Sequence, residues 1–321
     1  MPETKGRAFL VTGGAGFIGS VLTGRLLDKG ASVVVYDNLS SGRAEFIKPF
    51  ESSGRFKFVK ADLLDRDQLD RTMKDNGIDA IMHLAANPDV RRGSVETDLD
   101  LKQGTLATYN LLDSARLNGI KEFAFSSSSV VYGYASVKPT PEDYGPLMPI
   151  SLYGASKLAA EGLITAFSHL FDMSYYIFRF ANIVGRNSTH GIILDLLGKL
   201  DKTGGKSVEV LGNGRQNKSY MDVVDCADAM IYVYENSKDG QNVYNLATDG
   251  RTSVKEIAEM VVDRAAKGAA INYTGSVQGW PGDVPDTFIS NSKLKGLGFT
   301  YKLESSGAVR NAVEIAVAGR K

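Results

Sequence analysis

Apolar and polar positions follow two alternating periods through the first half of the chain. Residues 8–11 form a short apolar run, and 17–27 then place apolar side chains at helical spacing. Residues 32–36 are apolar and mostly β-branched, 56–59 are a further short strand candidate, and 65–76 read as a helix with a polar face. Residues 80–84 have the continuous apolar character of a buried strand. Residues 105–117 carry Leu106, Tyr109, Leu112 and Ala115 near helical spacing, and 123–125 are a strand that runs into four serines. Short apolar strands alternating with helices predict a parallel sheet with helices on both faces.

Pro139, Pro141, Pro146 and Pro149 break regular structure across 138–149. A long helix is predicted from Leu152 to Phe171, then a strand over 175–180. Beyond Asn182 the pattern is less regular, with glycine and proline turns at 204–205, 212–214 and 280–285. The expected fold is α/β, a Rossmann-type doubly wound parallel sheet with a smaller C-terminal substrate-binding lobe. The sheet is expected in 1–181 with about 217–246, and the lobe in 182–216 and 247–321. A chain of 321 residues fits this division, at roughly 150 residues per domain.

Composition removes several functions. Lys+Arg and Asp+Glu both number 37, so no global basic footprint exists for nucleic acid. Cys226 is the one cysteine, which excludes an intrachain disulfide and suits a small packed residue. His83, His169 and His190 are scattered, and no metal site is expected. The polar start, 1–7, lacks the apolar region of a signal peptide, and no apolar run is long enough to span a membrane. A cytoplasmic location is expected.

The candidate chemistry lies at strand ends. Gly13, Gly16 and Gly19 follow the first strand and open the first helix. Glycines there permit a tight turn and let a pyrophosphate reach the helix N-terminus, where unpaired N–H groups stabilise an anion. Asp37 ends the next strand, where a carboxylate accepts from adenosine ribose hydroxyls and repels a 2′-phosphate, favouring NAD over NADP. Tyr153 and Lys157 stand four positions apart at the start of the long helix and share a face. A lysine and a cationic nicotinamide would lower the phenol pKa, so Tyr153 could take a proton from a substrate hydroxyl. Ser126, Ser127, Ser128 and Ser129 end a parallel strand, where ligands gather. At least two of the four are expected to serve only the passage from strand to loop.

Taken in order, these residues resemble the extended short-chain dehydrogenase/reductase family, and most of all its UDP-glucose 4-epimerase branch. The resemblance spans almost the whole chain. It includes 13–19, Asp62-Leu63, His83-Leu84-Ala85-Ala86, the serine run with Val131-Tyr132-Gly133, Tyr153 with Lys157, 178–185 and 281–285. It implies that Gly13, Gly16, Phe17, Ile18 and Gly19 hold the NAD pyrophosphate, Asp37 and Asn38 the adenosine ribose, and that Asp62 and Leu63 flank the adenine. Leu84, Ala85, Ala86, Ser126, Tyr153, Lys157 and Phe180 would line the rest of the cofactor site. Ser128, Tyr153 and Lys157 would be catalytic, and Ser128, Tyr153, Asn182, Lys218, Asp283 and Thr287 would meet the substrate. Three positions depart from the family pattern. Gly104 replaces an asparagine, Lys218 replaces an arginine that grips phosphate with a bidentate fork, and Trp280 replaces a second phosphate-binding arginine.

The resemblance implies NAD-dependent 4-epimerisation of a nucleotide-linked sugar, with UDP-glucose/UDP-galactose, UDP-GlcNAc/UDP-GalNAc or both as substrates. Bound NAD, a UDP-sugar partner and a homodimer paired through 105–117 and 152–171 are expected. The rivals are 4,6-dehydratases, UDP-glucuronate decarboxylases, reductases of the same family and a non-catalytic NAD-binding regulator. Dehydratases and decarboxylases carry an acid before Val-Tyr-Gly, and Ser129 and Val130 supply none. A regulator commonly loses the Tyr or the Lys, and both are present. Thr287 stands where the family gates the C2 substituent. A threonine there leaves room for an acetamido group, or it merely begins a strand at 287–289 and faces away.

Overall fold

A computed structural model of the chain describes residues 2–93, 95–277, 279 and 282–320. Seven strands form one parallel sheet: β1 (Ala8–Thr12), β2 (Ser32–Asp37), β3 (Phe56–Lys60), β4 (Ala80–His83), β5 (Glu122–Ser128), β6 (Ser174–Phe180) and β7 (Gln241–Leu246). Their order is β7-β6-β5-β4-β1-β2-β3. The chain therefore winds one way from β1 through β3 and the other way from β4 through β7. Between β1 and β4, where Thr12 sits opposite His83, the direction reverses and a crevice opens at the strand C-termini.

The apolar strands reflect burial on both faces. Phe9, Val11, Val33, Val35 and Phe178 pack on one side, in the cluster reached by helices Phe17–Asp28 and Val223–Asn236. Leu10, Val34, Ile81, Phe123, Phe125 and Ile177 pack on the other, with helices Arg66–Asn76, Ala107–Leu117 and Leu152–Phe171. A third core joins Val184, Leu196, Leu197, Val208, Ile257, Val261 and Val309, from helices Ile192–Lys202, Val254–Ala265 and Ser305–Ala318 and the strands Asn182–Val184 and Ser207–Val210. Ser253 and Glu256 close a reciprocal capping box on the second of these helices. Among the described residues no helix is long and apolar enough to cross a membrane.

Four features differ from the hydrophobic pattern. β5 runs through Ser128, so three of the four serines lie within the strand and not beyond it. The helix expected from 105 is preceded by a widened, π-type turn, Leu101–Leu106. β7 was not distinguished by pattern because it is an edge strand, where Gln241 is exposed and Val243 only half-buried. The strand expected at 287–289 is instead Asp286–Thr287, followed by a single bridge from Ile289 to Thr140.

Candidate active site

The glycine loop is shaped by close backbone approach. Gly13 adopts φ +68° and donates its N–H to Tyr36 O at 2.9 Å. A Cβ there would stand 2.7 Å from Ala85 N, and one at Gly19 would collide with the Gly13 carbonyl. The helix Phe17–Asp28 has Gly16 as N-cap with no side-chain cap, and no acid in its first turn. Its leading N–H groups are thus left for an anion. Phe17 and Ile18 are half-buried beside this turn, and Leu84, Ala85 and Ala86 half-buried across the crevice. These residues fit a dinucleotide pyrophosphate.

At the end of β2, Asp37 is buried and does more than its position suggested. Its Oδ2 accepts from Ala15 N at 3.0 Å and its Oδ1 from Leu39 N at 2.8 Å, so it also clips the glycine loop. Burial raises its pKa, and the two N–H groups pull it back. Asn38 donates to Asp62 Oδ2 at 2.7 Å, which joins the ends of β2 and β3. Leu63 turns its side chain into the core, and its carbonyl accepts from Asn110 at 3.1 Å. Phe180 is likewise a core residue at the end of β6.

Ser151 caps the active-site helix, accepting from Gly154 N at 3.1 Å. This fixes the turn that carries Tyr153 and Lys157. Lys157 is buried, donates to Ser126 O at 2.6 Å and lies over the rings of Phe125 and Tyr153, 4.6 and 5.7 Å from their centroids. Burial lowers its pKa to about 7, against the pull of Asp100 and Glu161. Burial, then Asp100, raises the Tyr153 phenol above its ordinary value. The serines divide their work. Ser126 holds Lys157 through its carbonyl, Ser127 donates to Glu161 at 2.5 Å, Ser128 accepts from Val130 N at 3.4 Å, and Ser129 lines a shallow cavity.

Pattern reading missed the support beneath this pair. His83 is fully buried between Thr12 Oγ1 at 2.7 Å and Thr108 Oγ1 at 2.9 Å. Burial, then Lys157, drives its pKa to about 3, so it is neutral. Arg179 forks onto Glu161 at 3.0 and 2.8 Å and donates to Tyr132 OH at 3.0 Å, which itself donates to Asn245. Glu161 lies one turn beyond Lys157, and that spacing was the available signal. Gly104, the family asparagine position, has a local reason. A Cβ there would stand 2.6 Å from Ser156 Oγ, so glycine lets the π-type turn press against the active-site helix.

On the other wall, Asn182 begins a short strand and donates to Ser219 O at 3.3 Å. Lys218 and Asp283 form an ion pair at 2.6 Å, with Asp283 almost fully buried. Thr287 is the register partner of Lys218 and lines the same cavity as Ser129 and Tyr132. The cluster of Lys218, Asp283 and Thr287 is therefore brought together, and Thr287 reaches the serine side. Trp280 and Pro281 lie outside the described residues.

The strand–glycine loop–helix crevice and the Tyr153/Lys157 helix beside it define an extended short-chain dehydrogenase/reductase. A family model for NAD dependent epimerases and dehydratases matches residues 9–247. The UDP-glucose 4-epimerase of Mycolicibacterium smegmatis is 36% identical over 77% of this chain and 79% of its own. The Thermus thermophilus UDP-glucose 4-epimerase, solved with NAD, is 27% identical with a TM-score of 0.84, covering 96% of this chain and 98% of its own. The UDP-N-acetylglucosamine 4-epimerase of Methanobrevibacter ruminantium, solved with UDP-N-acetylmuramic acid, is 28% identical with a TM-score of 0.85, covering 98% and 99%. The chain belongs to the NAD-dependent epimerase/dehydratase family, and it is an NAD-dependent epimerase.

Proposed function

We propose that the protein interconverts C4 epimers of UDP-hexoses, N-acetylated ones included, at Tyr153. The observation that carries this reading is the Tyr153/Lys157 face, pinned by Ser126 to the end of β5 beside the glycine crevice. NAD, when bound, supplies the acceptor and later the donor of the C4 hydride. Gly13, Gly16, Phe17, Ile18 and Gly19 hold its pyrophosphate, Asp37 and Asn38 its ribose, and Leu84–Ala86 the channel beyond.

Tyr153 takes the proton of the C4 hydroxyl as hydride leaves the same carbon, and returns it after the 4-keto sugar has presented its other face. Lys157 favours the phenolate by its charge, an effect that a cationic nicotinamide reinforces against burial. Ser128 holds the reacting oxygen. Asn182 and Lys218 meet the diphosphate, with Asp283 fixing the lysine. Thr287 carries no aromatic ring to fill the place of a C2 substituent, and one structural relative above is a UDP-N-acetylglucosamine 4-epimerase.

A homodimer suits the exposed Leu106, Tyr109 and Leu117 on one helical segment and Leu152 and Leu170 on the active-site helix. Light scattering at micromolar concentration is expected to give a dimer mass, and a monomer alone overturns this part.

Comparison of kcat/KM for UDP-Glc/UDP-Gal and UDP-GlcNAc/UDP-GalNAc, in wild type and Thr287→Tyr, tests the sugar assignment. Wild type is expected to use both pairs, and the variant to lose the N-acetylated pair. A wild type that ignores N-acetylated sugars, or a tyrosine variant that processes them equally well, refutes the role of Thr287. Tyr153→Phe is expected to retain NAD and lose nearly all turnover, and activity within a few-fold of wild type contradicts its role.

A further inference from the structure

Asp100 is a buried carboxylate that none of these roles uses. It is 2% exposed, its Oδ1 accepts from Asn87 at 3.1 Å, and its Oδ2 has no hydrogen-bond partner among the described residues. Gly93 packs so closely that a Cβ there would strike Oδ2. Asp100 immediately precedes the π-type turn, four positions before Gly104, so both lie near one face of that segment. Gly104 presses on Ser156, between Tyr153 and Lys157. A carboxylate kept from water with one oxygen unsatisfied is costly to bury, and a nearby cation offsets that cost.

We propose that Asp100 is the counter-charge of Lys157, a positioning residue that keeps the ammonium protonated beside Tyr153. This rests on Tyr153 and Lys157 as the reacting pair. The other groups facing Lys157 leave this role open. His83, from β4, is neutral, and Glu161, on the same helix, is already taken by Arg179 and Ser127. Lys157 in turn is the cation that pulls on Asp100, whose burial otherwise raises its pKa. Removing a negative charge lowers every neighbouring pKa. Lys157, already at about 7, would then lose its proton earlier, and Tyr153 would ionise earlier. The two titrate as a coupled pair, so both limbs of a pH–rate profile move to lower pH.

The test follows Lys157 through its ε-¹³C resonance, assigned by Lys157→Arg, in wild type, Asp100→Asn and Asn87→Ala. The midpoint is expected to fall by about one unit in Asp100→Asn and by less in Asn87→Ala, where the carboxylate remains but loses its donor. The kcat/KM profile is expected to shift the same way. An unmoved midpoint overturns the proposal, as does a lowered Tm with an unshifted profile, which marks a purely structural carboxylate. The resonance needs no substrate, so absent turnover of UDP-sugars by wild type would count against the reaction alone.

Discussion

Gly13→Ala probes the point where fold and cofactor site are the same object. At φ +68° an alanine adopts a left-handed conformation, which costs about 1–2 kcal/mol. Its methyl would also stand 2.7 Å from Ala85 N and 2.8 Å from Ala85 Cα, about 0.7 Å short of ordinary contact. Both neighbours are backbone at the end of β4, so neither can rotate away. The loop must open, and the N–H groups proposed to face the pyrophosphate lose their alignment. Loss of one or two charge-assisted hydrogen bonds, at roughly 1.5–3 kcal/mol each, weakens NAD binding by ten- to a thousandfold or more. Calorimetric titration with NAD measures this, with far-UV circular dichroism to confirm folding. Gly162→Ala is the control, because a Cβ there meets nothing within 4 Å. It should leave NAD affinity unchanged and gain up to about 1 kcal/mol of stability from helix propensity. A Gly13→Ala protein that binds NAD within twofold of wild type would refute the crevice assignment.

NADP should bind far more weakly than NAD, because buried Asp37 would face the added phosphate, and equal affinities in parallel titrations would contradict this. His83 sets an acid limit. Its folded pKa of about 3 lies below the ordinary 6.5, so only the unfolded chain takes up its proton between those values, and stability falls as pH drops through that window. From pH 6.5 to 4 the loss is about 3 kcal/mol, and denaturant unfolding of His83→Asn should show a correspondingly flatter pH dependence. Glu161→Gln would leave the buried Arg179 guanidinium without its counter-charge and should cost about 3–5 kcal/mol of stability, whereas an unchanged unfolding midpoint would show that the pair is not needed.

The central sheet was legible because β1, β2, β4 and β5 are buried on both faces and must be apolar, while Gly13 and Asp37 stand at fixed offsets from strand ends. The shared helix face of Tyr153 and Lys157 was legible through spacing four apart. β7 escaped because an edge strand does not need that composition. Asp100, His83 and Arg179 escaped for another reason. Each acts through partners distant in sequence, such as Asn87 with Asp100 or Thr12 and Thr108 with His83, and no local period encodes such pairs. Asp37 was assigned to the ribose from its position, yet its hydrogen bonds to Ala15 and Leu39 depend on how the loop folds back.

The most direct measurement follows the hydrogen at C4. UDP-glucose and UDP-GlcNAc deuterated at C4 are incubated with the NAD-loaded protein in ordinary water, and the products are read by NMR and mass spectrometry. Epimerisation at Tyr153 predicts the galacto-configured products with deuterium retained at C4, and no net consumption of NAD. Loss of the label to solvent, a dehydrated product, or no inversion of either sugar would contradict the account.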